Sequence, residues 1–255
     1  TNEYFTAVLD GVQKACDETG SELIYFDPQN DPTQQASQID DMIASGIDAL
    51  IYIPWFTYLE KKVNINSNFH VIHVALDDYI PFCEFFVIPY YLWFVYMAIG
   101  ILFIAFTDGK LCWRMGIFLV TGMTVFLFIS AIYPNGQLLR PESFARDNIF
   151  VHIVQKLYAT DTPTNLFPSI HVYNSLGIYF ALCHSEKIKK HPWIKYVALV
   201  LTICIILSTM FIKQHSVFDV LTAFALAAFM YSVCYGSIAA VIERHRQKRI
   251  PAGQI

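Results

Sequence analysis

Five apolar segments follow one another in this chain, roughly Glu84 to Phe106, Cys112 to Tyr133, Pro168 to His184, Trp193 to Ile212 and Val217 to Ile238. Segments of about 20 apolar residues match the ~30 Å hydrocarbon core of a bilayer, where a helix satisfies its own backbone groups. The fold class expected is therefore mainly α, a polytopic transmembrane helical bundle. Composition agrees: 55% of the 255 residues are hydrophobic and only 15% are charged, against roughly a quarter charged in soluble domains. The third segment is short and broken by polar residues, so it is expected to be the one most enclosed by protein. The partner implied is the bilayer. A formal net charge of -4, with basic residues confined to short loops, argues against nucleic acid. Cys16, Cys83, Cys112, Cys183, Cys204 and Cys234 form no Cys-x-x-Cys pair and read as small packing residues.

Loop charges set an expected orientation. Lys110 and Arg114 separate the first two spans, Lys187, Lys189, Lys190 and Lys195 the third and fourth, and Arg244, Arg246, Lys248 and Arg249 follow the fifth. If the spans alternate, all three sets fall on one side, which the positive-inside rule makes cytoplasmic. The expectation is a multi-pass cell-membrane protein with residues 241–255 as a basic cytoplasmic tail. The Pro134 to Phe167 loop and the Lys213 to Ser216 turn then face outward.

Residues 1–53 have a different character. They read as a helix from Glu3 to Thr19 stopped by Gly20, a strand from Glu22 to Phe26, a helix from Pro32 to Ser45 with Asp31 as N-cap, and a strand from Ile47 to Ile53. This alternation predicts a short α/β fragment. Asn2-Glu3-Tyr4-Phe5, Asp27-Pro28-Gln29-Asn30-Asp31-Pro32 and Gln38-Ile39-Asp40-Asp41-Met42-Ile43 resemble the N-terminal lobe of periplasmic sugar-binding proteins of the ribose-binding type. The resemblance implies that Tyr4 and Phe5 are a remnant of a sugar contact; packing of the first helix is the simpler alternative. It lacks the family's first strand and second lobe. A chain that starts at Thr1 without a signal-peptide pattern is expected to be a fragment or to have had its N-terminus replaced, with a fusion or mis-joined reading frame near residues 46–54.

Two stretches put ionisable side chains at the edges of apolar segments, where burial is costly and function is the default reading. They are Phe167-Pro168-Ser169-Ile170-His171 and Lys213-Gln214-His215-Ser216-Val217-Phe218-Asp219. The four-residue spacing of His215 and Asp219 puts both on one helix face, so the carboxylate can hold one ring nitrogen and leave the other as a lone pair. A lone pair of that kind serves a nucleophile or a base. In the loop Tyr133 to Pro141, Arg140 offers a planar fork that matches phosphate.

Residues 54–240 resemble the type 2 phosphatidic acid phosphatase superfamily through three ordered blocks: Arg140-Pro141, then Pro168-Ser169-Ile170-His171, then Ser208 with His215 and Asp219. The resemblance implies an integral membrane lipid phosphatase or phosphotransferase, acting at the outer face on a phosphorylated lipid without metal or other cofactor. His215 would be the nucleophile that becomes phosphohistidine, Asp219 its orienting carboxylate and His171 the general acid and base. Arg140, Lys213 and Ser169 would bind the phosphate oxygens. Tyr133 and Thr209 stand where the family has lysine and arginine, and Ile170 where it has glycine. Lys213 is the replacement expected. Phe-Pro-Ser-x-His and Lys-Gln-His are closer to the inositol phosphorylceramide synthase branch, which leaves transfer to an alcohol open beside hydrolysis. The family has six spans, so one is expected to be missing before Trp55.

Other polar residues receive plainer readings. Asp77 and Asp78 read as solvated loop carboxylates, with ordering of the site entrance as the alternative. Asp161 and Asn165 read as turn formers, with support of the second block as theirs. The rival functions are a membrane-tethered sugar-binding protein and an inactive fusion.

Overall fold

The computed structural model describes residues 69–236 continuously and, before them, scattered residues between 13 and 45. The chain divides into two compact units, Thr1–Pro54 and Trp55–Ile255. In the first, Gln13, Lys14, Cys16, Asp17 and Glu18 are helical, and Gly20 follows at φ 70°. That left-handed backbone is the helix stop which glycine supplies without strain. Of the strand expected from Glu22 to Phe26, residues 22–25 belong to no ladder among the described residues, while Ser37, Gln38 and Asp41 are helical as expected. Tyr4, Phe5 and the expected strand Ile47 to Ile53 lie outside the described residues.

The second unit is helical. Its described elements in chain order are β1 (His70–Val71), α1 (Ala75–Tyr79), a 3-10 turn (Glu84–Phe86), α2 (Val87–Thr107), α3 (Gly109–Ile132) and β2 (Asn135–Gly136). There follow α4 (Ile149–Thr160), α5 (Ile170–His184), α6 (Glu186–Lys189), α7 (Trp193–Phe211) and α8 (Val217–Cys234). Among the described residues four helices are long and apolar enough to cross a membrane: Glu84–Thr107, Gly109–Ile132, Trp193–Phe211 and Val217–Cys234. Each turns large apolar side chains outward, such as Phe94 and Leu102, Val120 and Phe128, Val200 and Ile203, Leu221 and Phe229. Such faces suit lipid, where apolar exposure costs nothing. This is a membrane protein.

The third apolar segment departs from the other four. Its helix α5 has 15 residues, about 22 Å at 1.5 Å per residue, which is short of the bilayer core. It sits at the centre of the bundle, packed against α2, α3, α7 and α8. Nine of its residues are buried. Protein neighbours, rather than lipid, accommodate the polar Asn174 and Ser175. Ile178 packs with Tyr96, Ile104, Met115 and Ile205 on one side, and Tyr173 with Phe118, Ile206, Val220 and Ala223 on the other. Gly177 and Gly122 let these helices approach; a methyl on Gly122 would overlap the Tyr173 ring.

A small polar layer covers one end of the bundle. β1 pairs in parallel with β2, and Gly136 bridges antiparallel to Thr164. Three distant segments are thereby tied together before either histidine is reached. A side chain at Gly136 would press on Phe69 and on the Pro163 carbonyl, both 2.7 Å from its first atom.

Overpacking a full core costs about 1–3 kcal/mol. Gly122→Val is expected to lower the thermal midpoint in detergent, whereas Gly116→Val, at a position with open space around it, leaves it nearly unchanged.

Candidate active site

Two helix beginnings meet at the site. Ser169 caps α5, its Oγ accepting from the Val172 N–H at 3.5 Å. Ser216 caps α8, its Oγ accepting from the Phe218 N–H at 3.2 Å. The Ser169 N–H donates to the Asp219 carbonyl at 3.3 Å, and the rings of Phe167 and Phe218 stack at 5.4 Å. Serine at an N-cap is the local signal that starts each helix where it does. The consequence is electrostatic: two positive helix ends converge, and that of α8 is met by the carboxylates of Asp77 and Asp219.

At that junction lie the two histidines, 44 residues apart in sequence. Nε2 of His215 is 3.4 Å from Nδ1 of His171. On its other side Nδ1 of His215 is 3.4 Å from Oδ2 of Asp219. That oxygen also accepts from the Ser216 N–H at 3.0 Å, so one carboxylate oxygen serves both the helix start and the ring. With the Nδ1–H donating to Asp219, Nε2 carries the lone pair and faces the His171 ring. Both distances are long for hydrogen bonds and can tighten on a substrate. His215 is 5% exposed and Asp219 fully buried. The His171 ring is flanked by Trp93 at 4.5 Å and Tyr90 at 4.8 Å, both on α2.

Arg140 reaches the same place from the loop after β2. Its Nη2 donates to Gln214 Oε1 at 2.6 Å and its Nη1 to the Tyr158 carbonyl at 3.1 Å, with the guanidinium 4.4 Å from the Tyr158 ring centre. Among the described residues its Nε and the Nε2 of Gln214 are buried donors without a partner. Such groups ordinarily find an acceptor, and phosphate oxygens are acceptors. Asp161 is close by, accepting from the Tyr90 hydroxyl at 3.4 Å. Burial pushes its carboxyl above the usual range, while the charges of Arg140 and His215 pull it back. Burial likewise lowers the Arg140 guanidinium, and Asp161 offsets this.

Lys213 is directed elsewhere. Its Nζ donates to the carbonyls of Asp77 at 2.8 Å and Ile80 at 2.6 Å, not to a position beside Arg140. Tyr133 stacks on His70 at 4.2 Å. The Oγ1 of Thr209 turns back to the Ile206 carbonyl, and the Thr209 carbonyl accepts both the Gln214 and the His215 N–H at 2.9 Å.

The reading of Asp77 as a solvated carboxylate is corrected: it is 2% exposed and binds Ser216 and Val217. Asp78 does remain exposed, paired with His73 at 2.8 Å. Asp161 and Asn165 are more than turn formers. Asp161 holds Tyr90, and Asn165 is buried at φ 56° with its N–H on the Asn135 carbonyl. Sequence reasoning also passed over Asn135, Gln137, Gln214, Tyr90 and Trp93. Asn135 Oδ1 accepts from the Leu166 and Phe167 N–H groups at 2.8 and 3.0 Å. Gln137 Nε2 donates to the Lys213 carbonyl at 2.8 Å, and its Oε1 accepts from the Leu139 N–H. Their nearness to Arg140 in sequence was the available signal.

Asn135→Ala leaves the buried Leu166 N–H and the partly buried Phe167 N–H without their acceptor, at a cost of about 1–3 kcal/mol. A lower thermal midpoint in detergent and reduced accumulation in membranes are the expected results.

Residues 113–242 match the PAP2 superfamily, and residues 1–58 match the periplasmic binding protein domain. The ribose import binding protein of Haemophilus influenzae is 32% identical over 77 residues, 30% of this chain and 26% of that protein. The ribose import binding protein of Bacillus subtilis is 36% identical over 53 residues, 21% of this chain and 17% of that one. The chain thus spans about a quarter or less of these curated relatives. No solved structure matches it at a significant level.

Proposed function

The chain belongs to the PAP2 superfamily, and from that premise we propose that residues 54–240 are a lipid phosphatase or phosphotransferase working through phosphohistidine at the outer membrane face. The observation that carries the reading is the line Asp219, His215, His171, with 3.4 Å at each step. Phosphoryl transfer depends chiefly on placing a nucleophile, a proton donor and positive charge around the phosphorus. Nε2 of His215 attacks phosphorus while the bond to the lipid oxygen breaks, and the electron pair leaves on that oxygen. His171, protonated beside the anionic phosphate of the bound substrate, gives that oxygen its proton and is left neutral. In the second half-reaction His171 takes a proton from water or an alcohol as its oxygen attacks, and the P–N electron pair returns to His215. Asp219 stabilises the charged imidazole. The Ser169 cap region, Arg140 and Gln214 supply donors for the equatorial oxygens. Substrate enters between the two rings, which part to admit it. Sidedness follows from the loop charges and puts the C-terminal tail in the cytoplasm.

One observation favours transfer over hydrolysis. The family's two further cations are Tyr133 and Thr209 here, and Lys213 is engaged by carbonyls. A site with a single guanidinium beside Asp161 suits a singly charged phosphodiester headgroup better than a doubly charged phosphomonoester. This is consistent with the inositol phosphorylceramide synthase-like branch. Lys213 then acts by holding the turn that carries His215. The rival reading, a tethered sugar-binding protein, rests on residues 1–58 alone and lacks the second lobe that closes on a sugar.

Membranes carrying the chain are tested against phosphomonoester and phosphodiester lipids, with and without an alcohol acceptor. His215→Ala is expected to lose at least about a thousandfold in turnover, and EDTA to leave the wild-type rate unchanged. Equal rates in wild type and His215→Ala at equal abundance would overturn the proposal.

A further inference from the structure

The strap before the first membrane helix is locked to the turn that presents His215, and the lock works in both directions. The Asp77 carboxylate accepts from Ser216 Oγ and from the Val217 N–H, each at 2.7 Å. It thereby occupies the start of α8, with the Val74 N–H at 2.9 Å holding the carboxylate from its own side. In return the Lys213 ammonium binds the carbonyls of Asp77 and Ile80 at the end of α1. Lys213 stands at φ 53°, a conformation that a non-glycine residue keeps only when its surroundings hold it. His215 lies between these two fastenings.

We infer that Asp77 is a positioning residue for the nucleophile, acting by keeping Asp219 free to orient His215. The inference rests on His215 being that nucleophile. Two carboxylates compete for one helix start. Asp219 Oδ2 already accepts the Ser216 N–H, and a helix N-terminus with unmet donors draws any nearby carboxylate. Because Asp77 takes the Ser216 hydroxyl and the Val217 N–H, Asp219 keeps its oxygen within 3.4 Å of His215 Nδ1. Without Asp77 those donors are orphaned beside Asp219, whose Oδ1 is buried without a partner among the described residues; the carboxylate rotates to bring that oxygen onto them and draws Oδ2 away from the ring. His215 then loses the partner that fixes its tautomer. Asp77 touches neither histidine, so its effect falls on the chemical step and not on binding.

The test uses the full chain in lipid vesicles, with a phosphodiester lipid radiolabelled in its headgroup phosphate. Turnover and the acid-labile protein label are measured per folded molecule. Asp77→Ala is expected to lower kcat and the labelling rate on the order of a hundredfold, as misplacement by about 1 Å can, with KM within about twofold. Asp77→Asn keeps the shape and one acceptor oxygen and falls between. Asp78→Ala behaves as wild type. In an Asp219→Ala background, Asp77→Ala is expected to cost less than about threefold more, because its route has already been removed. Independent, multiplicative losses, or wild-type labelling in a folded Asp77 variant, would overturn the inference while leaving phosphohistidine chemistry intact. A wild-type protein that turns over lipid without acid-labile label would overturn both.

Discussion

A buried carboxylate that serves two masters governs this structure. Asp219 must satisfy the start of α8 and hold the His215 ring, and it does both through one oxygen in a fully buried position. An ionised group in such a place is tolerated only when hydrogen bonds replace the water it has lost. Among the described residues Oδ2 receives the Ser216 N–H and faces the His215 ring, while Oδ1 is buried without a partner. Ser216 and Asp77 take up the remaining helix-start donors, and the Ser169 N–H binds the Asp219 carbonyl. The candidate site and the capping of two helices are therefore one hydrogen-bond network.

The shortness of α5 follows from the same constraint. A helix crossing the whole bilayer would carry its N-terminus into the headgroup layer, where water competes for every donor. At 15 residues and enclosed by four helices, α5 instead presents Ser169 and His171 inside the protein. Tyr90 and Trp93 then close over the His171 ring. Lipid-facing surface is left to α2, α3, α7 and α8.

What could be read in the sequence was whatever local spacing decides. Apolar length located the membrane helices, the polar interruptions in Pro168 to His184 announced an enclosed segment, and the i to i+4 spacing of His215 and Asp219 announced their pairing. What could not be read was set by contacts distant in sequence. Asp77 lies 139 residues from its partner Ser216, and a carboxylate before a span looks solvated until the fold buries it. Lys213 shows the converse. One helical turn from Thr209 it looked placed for phosphate, but the left-handed turn that follows α7 sends its side chain to the α1 carbonyls. Gln214 was hidden for a related reason, since nothing in its neighbours tells that Arg140 will reach it across 74 residues.

These long-range contacts bear on how much chain the site requires. The superfamily match begins at residue 113, inside α3, yet the His171 ring is flanked from α2 and the start of α8 is held by Asp77. Asp77, Tyr90 and Trp93 of the preceding stretch thus belong to the candidate site. Asp77 stands outside the stretch by which the family is recognised, yet it accepts the first N–H of α8 and the hydroxyl that caps it.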